Sequence, residues 1–116
     1  MPTFDGIDFT GPVGIDGLPS GPGVYIITTP ASGGVKVLGA YEAEDMCQSA
    51  GTNPKRPCWE KRSRDADDAT YRHAGTGPAA YYHPESDPQR RASMVIDIMY
   101  RSFYGLECND PVKDDF

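Results

Sequence analysis

Two short β-branched segments joined by a turn constrain the fold of this chain more than any other feature. Residues 23–29 and residues 35–39 are rich in valine, isoleucine and threonine, and residues 30–34 between them supply proline and glycine. Such runs, separated by residues that favour turns, are typical of a β-hairpin. The sequence therefore predicts a hairpin near the start of the folded region.

Three further short elements follow the hairpin. Residues 43–50 contain helix formers with acids in the first turn, and Gly51 is placed to end a helix there. Residues 58–64 indicate a second short helix, and residues 79–83 lie between glycine- and proline-containing breakers. We expect that last segment to be a third strand.

The clearest helix begins at Asp87 and Pro88. Aspartate caps a helix well, and proline at the first helical position lacks only an N–H that has no partner there. Gly105 is placed to end this helix. Apolar residues recur at helical spacing and predict its inward face: Ala92, Val95, Ile96, Met99 and Phe103.

This order of elements predicts an α+β domain with a small three-stranded antiparallel sheet flanked by helices. The chain has 116 residues, which suits one domain. We expect residues 1–20 to form an extended lead-in rich in glycine and proline, residues 21–110 to form the domain, and residues 111–116 to form an acidic tail.

Charge gives a mixed indication about partners. The formal net charge is −6, which argues against indiscriminate nucleic-acid binding because phosphate affinity depends on lysine and arginine. However, residues 55–101 carry nine of the eleven basic residues. A locally positive face therefore remains compatible with the sequence.

The start of the chain has no secretory pattern, and no apolar stretch is long enough to cross a membrane. We therefore expect a cytoplasmic protein without membrane contact. Its three cysteines, Cys47, Cys58 and Cys108, are odd in number and widely spaced. This pattern predicts buried free thiols rather than a disulfide framework, and no cysteine or histidine pair has zinc-site spacing.

Paired tripeptides on the two hairpin strands give the chain a family resemblance. Gly23-Val24-Tyr25 and Val37-Leu38-Gly39 resemble the motifs that name the GIY-YIG nucleases. Asp97 and Asn109, twelve positions apart, are similar to the acidic metal ligand and distal asparagine of that family. The resemblance covers residues 21–110 and is closest to small stand-alone members with altered motifs.

The resemblance implies a metal-dependent phosphodiesterase that acts on DNA or RNA. In that hypothesis Tyr25 orients the attacking water, Asp97 holds one Mg²⁺ or Mn²⁺, Asn109 braces the site, and no organic cofactor is needed. Each residue also has a plain structural interpretation. Tyr25 would be a packed strand residue, Asp97 a surface acid paired with Arg101, and Asn109 part of a turn.

The chain departs from the family pattern at three points. Val37 stands where the second tripeptide has a tyrosine, and it has no hydroxyl. The first helix has Gln48, Ser49 and Ala50 where an arginine is expected. Asp97 is shorter than the usual glutamate. Because the helix arginine is missing, an enzyme would need an arginine from residues 55–64, for which Arg62 is our candidate.

Basic residues surround the single tryptophan and form a candidate nucleic-acid-binding patch. Lys55, Arg56 and Lys61 would contact phosphates, and Trp59 would stack on a base. The alternative is a solvated loop anchored by a buried tryptophan.

Three functions thus remain in competition. The first is a GIY-YIG-like phosphodiesterase, and the second is a catalytically degenerate domain of that fold that binds nucleic acid or a protein partner. The third is an unrelated α+β interaction module, because a fold does not determine a function.

Overall fold

A computed structural model describes residues 3–4, 6–31, 34–66, 78–99 and 108. This part of the chain forms an α+β domain with one four-stranded antiparallel sheet, a separate two-stranded hairpin and three α-helices. The strands are β1 (Thr3–Phe4), β2 (Ile7–Asp8), β3 (Thr10–Gly14), β4 (Gly23–Ala31), β5 (Gly34–Ala43) and β6 (Ala79–Pro84). The helices are α1 (Met46–Thr52), α2 (Arg56–Ala66) and α3 (Pro88–Asp97).

The main sheet has the strand order β3-β6-β4-β5, and all its neighbours are antiparallel. The expected hairpin is confirmed as β4 and β5, and β6 confirms the third strand. The prediction of only three strands was wrong, because β3 lies within the lead-in and pairs with β6. Proline and glycine are tolerated in β3 because it is an edge strand.

Gly11 shows why β3 has its unusual composition. Its φ is +149°, and a Cβ at this position would lie 2.7 Å from the carbonyl oxygen of Ala80 on β6. The backbone of β3 therefore approaches β6 more closely than a larger residue would permit.

Capping side chains begin two of the helices. Asp87 accepts hydrogen bonds from the backbone N–H groups of Gln89 and Arg90, which confirms the predicted start of α3. Asp45 caps α1 in the same way through the N–H of Gln48. Gly51, expected to end α1, lies inside it. No helix in the described ranges is both long enough and apolar enough to cross a membrane.

The sheet separates two hydrophobic clusters, because successive side chains of a strand point to opposite faces. Tyr25 and Ile27 on β4 point toward α1 and α2. Val24 and Ile26 point the other way, toward α3. We call these sides of the sheet the aromatic face and the aliphatic face.

The inward side of α3 differs from the predicted stripe. Of the predicted stripe, Met99 is buried and Val95 packs against the aliphatic face, whereas Ala92 and Ile96 are exposed and Phe103 lies outside the described residues. Arg91, Met94 and Ile98 are also buried. The predicted stripe left out Arg91 because a charged residue is expected at the surface, whereas its contacts bury this one. Its Nε lies 2.9 Å from Glu42 Oε1 on β5.

The cysteines also correct a prediction. Cys58 on α2 and Cys108 form a disulfide, so they are not free thiols. Cys47 is free as expected, but it is exposed rather than buried. Fifty residues separate Cys58 from Cys108, and no local pattern shows that the fold brings them together.

Candidate functional site

The two tripeptides lie on neighbouring strands but are not opposite each other, because residues 23–25 of β4 pair with residues 41–43 of β5. In the register of β4 with β5, Ile27 is opposite Gly39 and Thr28 is opposite Val37. Leu38 is therefore an extra residue on β5, a β-bulge. Bulges change the direction of neighbouring side chains and often occur beside functional sites.

Both tripeptide glycines have a packing reason to be glycine. A Cβ at Gly23 would lie 2.6 Å from the His83 carbonyl oxygen and 2.7 Å from Met46 Sδ on α1. A Cβ at Gly39 would lie 2.7 Å from Cζ of Tyr41, whose ring covers this glycine. These glycines let α1 and the Tyr41 ring approach the sheet closely.

Tyr25 is fully buried on the aromatic face. Its hydroxyl oxygen lies 2.8 Å from Ser49 Oγ and accepts a hydrogen bond of 2.9 Å from Asn53 Nδ2. Burial raises the pKa of Tyr25, although the hydrogen bonds to Ser49 and Asn53 partly oppose that rise. The phenol therefore stays protonated at neutral pH and is poorly suited to take a proton from water.

A second tyrosine, Tyr41, lies beside Tyr25. The residue at the expected position of the second tripeptide, Val37, has no hydroxyl. Tyr41 is directly opposite Tyr25 in the strand register, and the two ring centroids are 5.4 Å apart. The Tyr41 hydroxyl accepts a hydrogen bond of 2.9 Å from Trp59 Nε1 and donates one to the Cys108 carbonyl. Sequence reasoning missed Tyr41, whose only signal is its position two residues after Gly39 on the same strand.

Trp59 completes an aromatic cluster with these two tyrosines. Its ring centroid lies 5.5 Å from that of Tyr41 and 6.5 Å from that of Tyr25, edge-on in the second case. The side chain is fully buried. It therefore packs α2 onto the sheet and presents no face for a nucleic-acid base.

Two of the basic residues around Trp59 make local contacts, Arg56 through its side chain and Lys55 through its backbone. Arg56 Nη1 lies 3.4 Å from Asp16 Oδ1 and donates to the Ala50 carbonyl near the end of α1. The backbone N–H of Lys55 donates to Asn53 Oδ1 at 2.8 Å. Lys61 is exposed on α2. Arg62 lies in α2, and its side chain is not among those that the structure describes.

Asp97 lies on the other side of the sheet from the Tyr25 hydroxyl. It is the last residue of α3, which packs its buried residues against the aliphatic face, and its side chain is half-buried. The structure thus places Tyr25 and Asp97 in different layers. Asn109 and Arg101 lie outside the described residues.

The expected metal site has no support beyond Asp97 itself. Within the described ranges, no three histidine, cysteine, aspartate or glutamate side chains come together as ligands. A cation held by one carboxylate and water needs no such group. The assignment of Mg²⁺ or Mn²⁺ to Asp97 therefore stays a prediction.

A groove opens at one end of the sheet, beside the start of α3. It has a volume of about 530 Å³ and is lined by residues 19–22, Met46, Tyr82 and residues 84–86. Backbone hydrogen bonds hold its walls together, from Met46 N–H to the Gly21 carbonyl at 2.9 Å and from Glu85 N–H to the Pro22 carbonyl at 3.1 Å. The walls are thus ordered by the fold.

The buried arginine of α3 supports one wall of this groove. Arg91 Nη1 donates to the carbonyls of Glu85 and Ser86, each at 3.1 Å, while its Nε pairs with Glu42. One guanidinium thereby ties the groove wall to both α3 and β5. Sequence reasoning missed this role because an arginine in a helix ordinarily faces solvent.

Comparison with known proteins does not extend these observations. No family model, curated protein or solved structure matches the chain. The likeness to GIY-YIG nucleases therefore depends on sequence motifs: the tripeptides, the segment at residues 53–59 and the Asp97–Asn109 spacing.

Proposed function

We propose that this chain is a GIY-YIG-like domain that acts by binding a protein partner and does not hydrolyse phosphodiesters. The observation that carries the proposal is the placement of Tyr25. Its hydroxyl is buried, bonded to Ser49 and Asn53, and separated from Asp97 by the sheet. A base, a metal ligand and a substrate must meet in one cleft for hydrolysis.

Three observations favour a protein over a nucleic acid as the partner. Trp59 is fully buried, so the candidate patch lacks the exposed aromatic surface on which a base would stack. Arg56 is engaged with Asp16 and the end of α1. With a net charge of −6, the chain as a whole also repels a polyanion.

The groove beside α3 is the binding surface in this proposal. Its lining includes three prolines, Pro19, Pro22 and Pro84, which lose little conformational freedom on binding, and the half-buried Tyr82 supplies apolar area. The acidic charge of the chain favours a cationic ligand. We therefore assign to the groove an extended, basic protein segment.

The test is a binding measurement with three probes on the same purified chain. They are a pooled library of short peptides rich in arginine, lysine and proline, a single-stranded DNA and a single-stranded RNA. We expect peptides to be retained and Tyr82→Ala to weaken them at least about tenfold, because this substitution removes the largest side chain in the groove.

Ile96→Ala is the matched control, since Ile96 is an exposed apolar residue on α3 outside the groove. We expect it to leave peptide binding unchanged. Equal losses from both variants would contradict the groove assignment. Retention of DNA or RNA but no peptide, with affinity falling as salt increases, would contradict the choice of a protein partner.

A further inference from the structure

The disulfide joins α2 to Cys108, which lies at the outer edge of the sheet. Among the described residues, β5 pairs with β4 on one side only, so its other edge is the end of the sheet that the structure describes. At that edge the backbone N–H of Cys108 donates to the Leu38 carbonyl at 2.9 Å. The covalent bond from Cys108 to Cys58 ties the same residue to α2.

The aromatic cluster contacts Cys108 through a hydrogen bond. The Cys108 carbonyl accepts the hydrogen bond of the Tyr41 hydroxyl, and that hydroxyl accepts the indole N–H of Trp59. Trp59 is the next residue after Cys58 and is the only tryptophan in the chain. One covalent bond therefore holds a continuous path from the sheet edge through Tyr41 to Trp59.

The two cysteine residues differ in exposure. Cys58 is half-buried, whereas Cys108 is only 1% exposed. A thiolate in solution can therefore approach Cys58 more readily than Cys108. Exchange at one accessible sulfur is the usual route by which a protein disulfide is opened.

We propose that the Cys58–Cys108 bond is a reversible thiol–disulfide exchange site whose reaction partner is a dithiol, and that it controls whether Cys108 covers the edge of β5. A thiolate of the dithiol attacks Cys58 Sγ, the Cys58–Cys108 bond breaks, and Cys108 leaves as a thiolate that takes up a proton. The second thiol of the dithiol then attacks the mixed disulfide and releases Cys58. The dithiol loses two electrons and becomes a disulfide.

Reduction of the disulfide changes the contacts at the edge of β5, and the strands of the sheet stay paired. β5 keeps its nine paired positions with β4, and Trp59 keeps its packing in the aromatic cluster. Among the described residues, Cys108 is joined to the sheet by one backbone hydrogen bond to Leu38 and one hydrogen bond from Tyr41, and it packs in the buried cluster of the aromatic face. In this proposal, reduction removes the covalent hold on Cys108 and opens the Leu38 carbonyl and the Tyr41 hydroxyl to water.

The experiment compares the oxidised chain with the same chain treated with dithiothreitol under native conditions. Thiol titration after denaturation should count one thiol before treatment and three after it. Amide exchange at Cys108 should accelerate at least about tenfold, while exchange in β4 stays slow. Trp59 emission should change in step with the thiol count and return after reoxidation with glutathione disulfide.

Three variants complete the test. Cys47→Ser should respond to dithiothreitol as the parent chain does, whereas Cys58→Ser should show fast exchange at Cys108 without reductant. Tyr41→Phe should keep the thiol change but alter the response of Trp59. The proposal is overturned if Cys108 stays protected after reduction, if dithiothreitol opens the bond only in denaturant, or if reduction unfolds the sheet as judged by circular dichroism.

Discussion

The two faces of the sheet use the same strands for different kinds of packing. On the aromatic face, the rings of Tyr25, Tyr41 and Trp59 are in contact. Trp59 also donates a hydrogen bond to Tyr41, and the Tyr25 hydroxyl bonds to Ser49 and Asn53. On the aliphatic face, the buried residues around α3 make a core mainly of aliphatic side chains, with Arg91 at its margin. One face is ordered by directional bonds, and the other is ordered mainly by apolar burial.

The difference explains why a motif resemblance and a catalytic site are separate matters here. Val24 and Tyr25 are adjacent in sequence, yet their side chains enter different layers. The tripeptide places its tyrosine on the aromatic face, and the helix places Asp97 over the aliphatic face. Residues that agree with a motif in order need not meet in space.

The largest expected effect comes from removing the centre of the aromatic face. Trp59→Ala should lower the free energy of unfolding by about 3–5 kcal/mol, because it leaves a large cavity and removes the donor to Tyr41. Urea titration followed by circular dichroism measures the loss. Trp59→Phe is the control, and it should cost less since it keeps most of the buried area. Equal stability of Trp59→Ala and the parent chain would show that the cluster is not the core we describe.

A smaller effect tests whether the faces are independent. Tyr25→Phe should cost about 1–2 kcal/mol, because Ser49 and Asn53 lose their buried partner. Combined with Tyr41→Phe on the same face, it should deviate from additivity by about 0.5 kcal/mol or more. Combined with Met94→Ala on the aliphatic face, it should be additive within about 0.5 kcal/mol. Strong coupling across the sheet would remove the distinction between the faces.

The hairpin and the start of α3 were predictable because their signals are local. β-branched runs, a turn between them, and an aspartate followed by proline specify short segments through backbone preference alone. The aspartate at position 87 and the proline at position 88 act as the sequence predicts. These elements fix most of the layout of the sheet.

Other features depend on partners far along the chain and gave no local signal. β3 consists of threonine, glycines, proline and valine, and only its pairing with β6 makes it a strand. Arg91 is buried because Glu42 and two loop carbonyls receive its guanidinium. The disulfide between Cys58 and Cys108 likewise depends on the fold, which brings together two residues 50 positions apart. The candidate site was the least predictable part of the structure, because its geometry depends on such contacts.

The smallest expected effect concerns alkaline pH. Because burial raises the pKa of Tyr25 in the folded chain, the unfolded chain loses that proton first as pH rises. The contribution of Tyr25 to stability is complete below the ordinary tyrosine pKa near 10. It is lost as the pH rises from there through the pKa that Tyr25 has in the folded chain. Tyr25→Phe should therefore show a shallower decline of unfolding free energy above pH 10 than the parent chain. Identical slopes would contradict a buried, bonded Tyr25 hydroxyl.

The most direct test of the central claim is a cleavage assay with the oxidised, full chain. Supercoiled plasmid, single-stranded DNA and RNA are each incubated with Mg²⁺, Mn²⁺ or a chelator, in parallel with Asp97→Ala and Tyr25→Phe. The account predicts no cleavage above the buffer control in any arm, because Tyr25 and Asp97 lie in different layers of the fold. Metal-dependent cleavage that both substitutions abolish would contradict it.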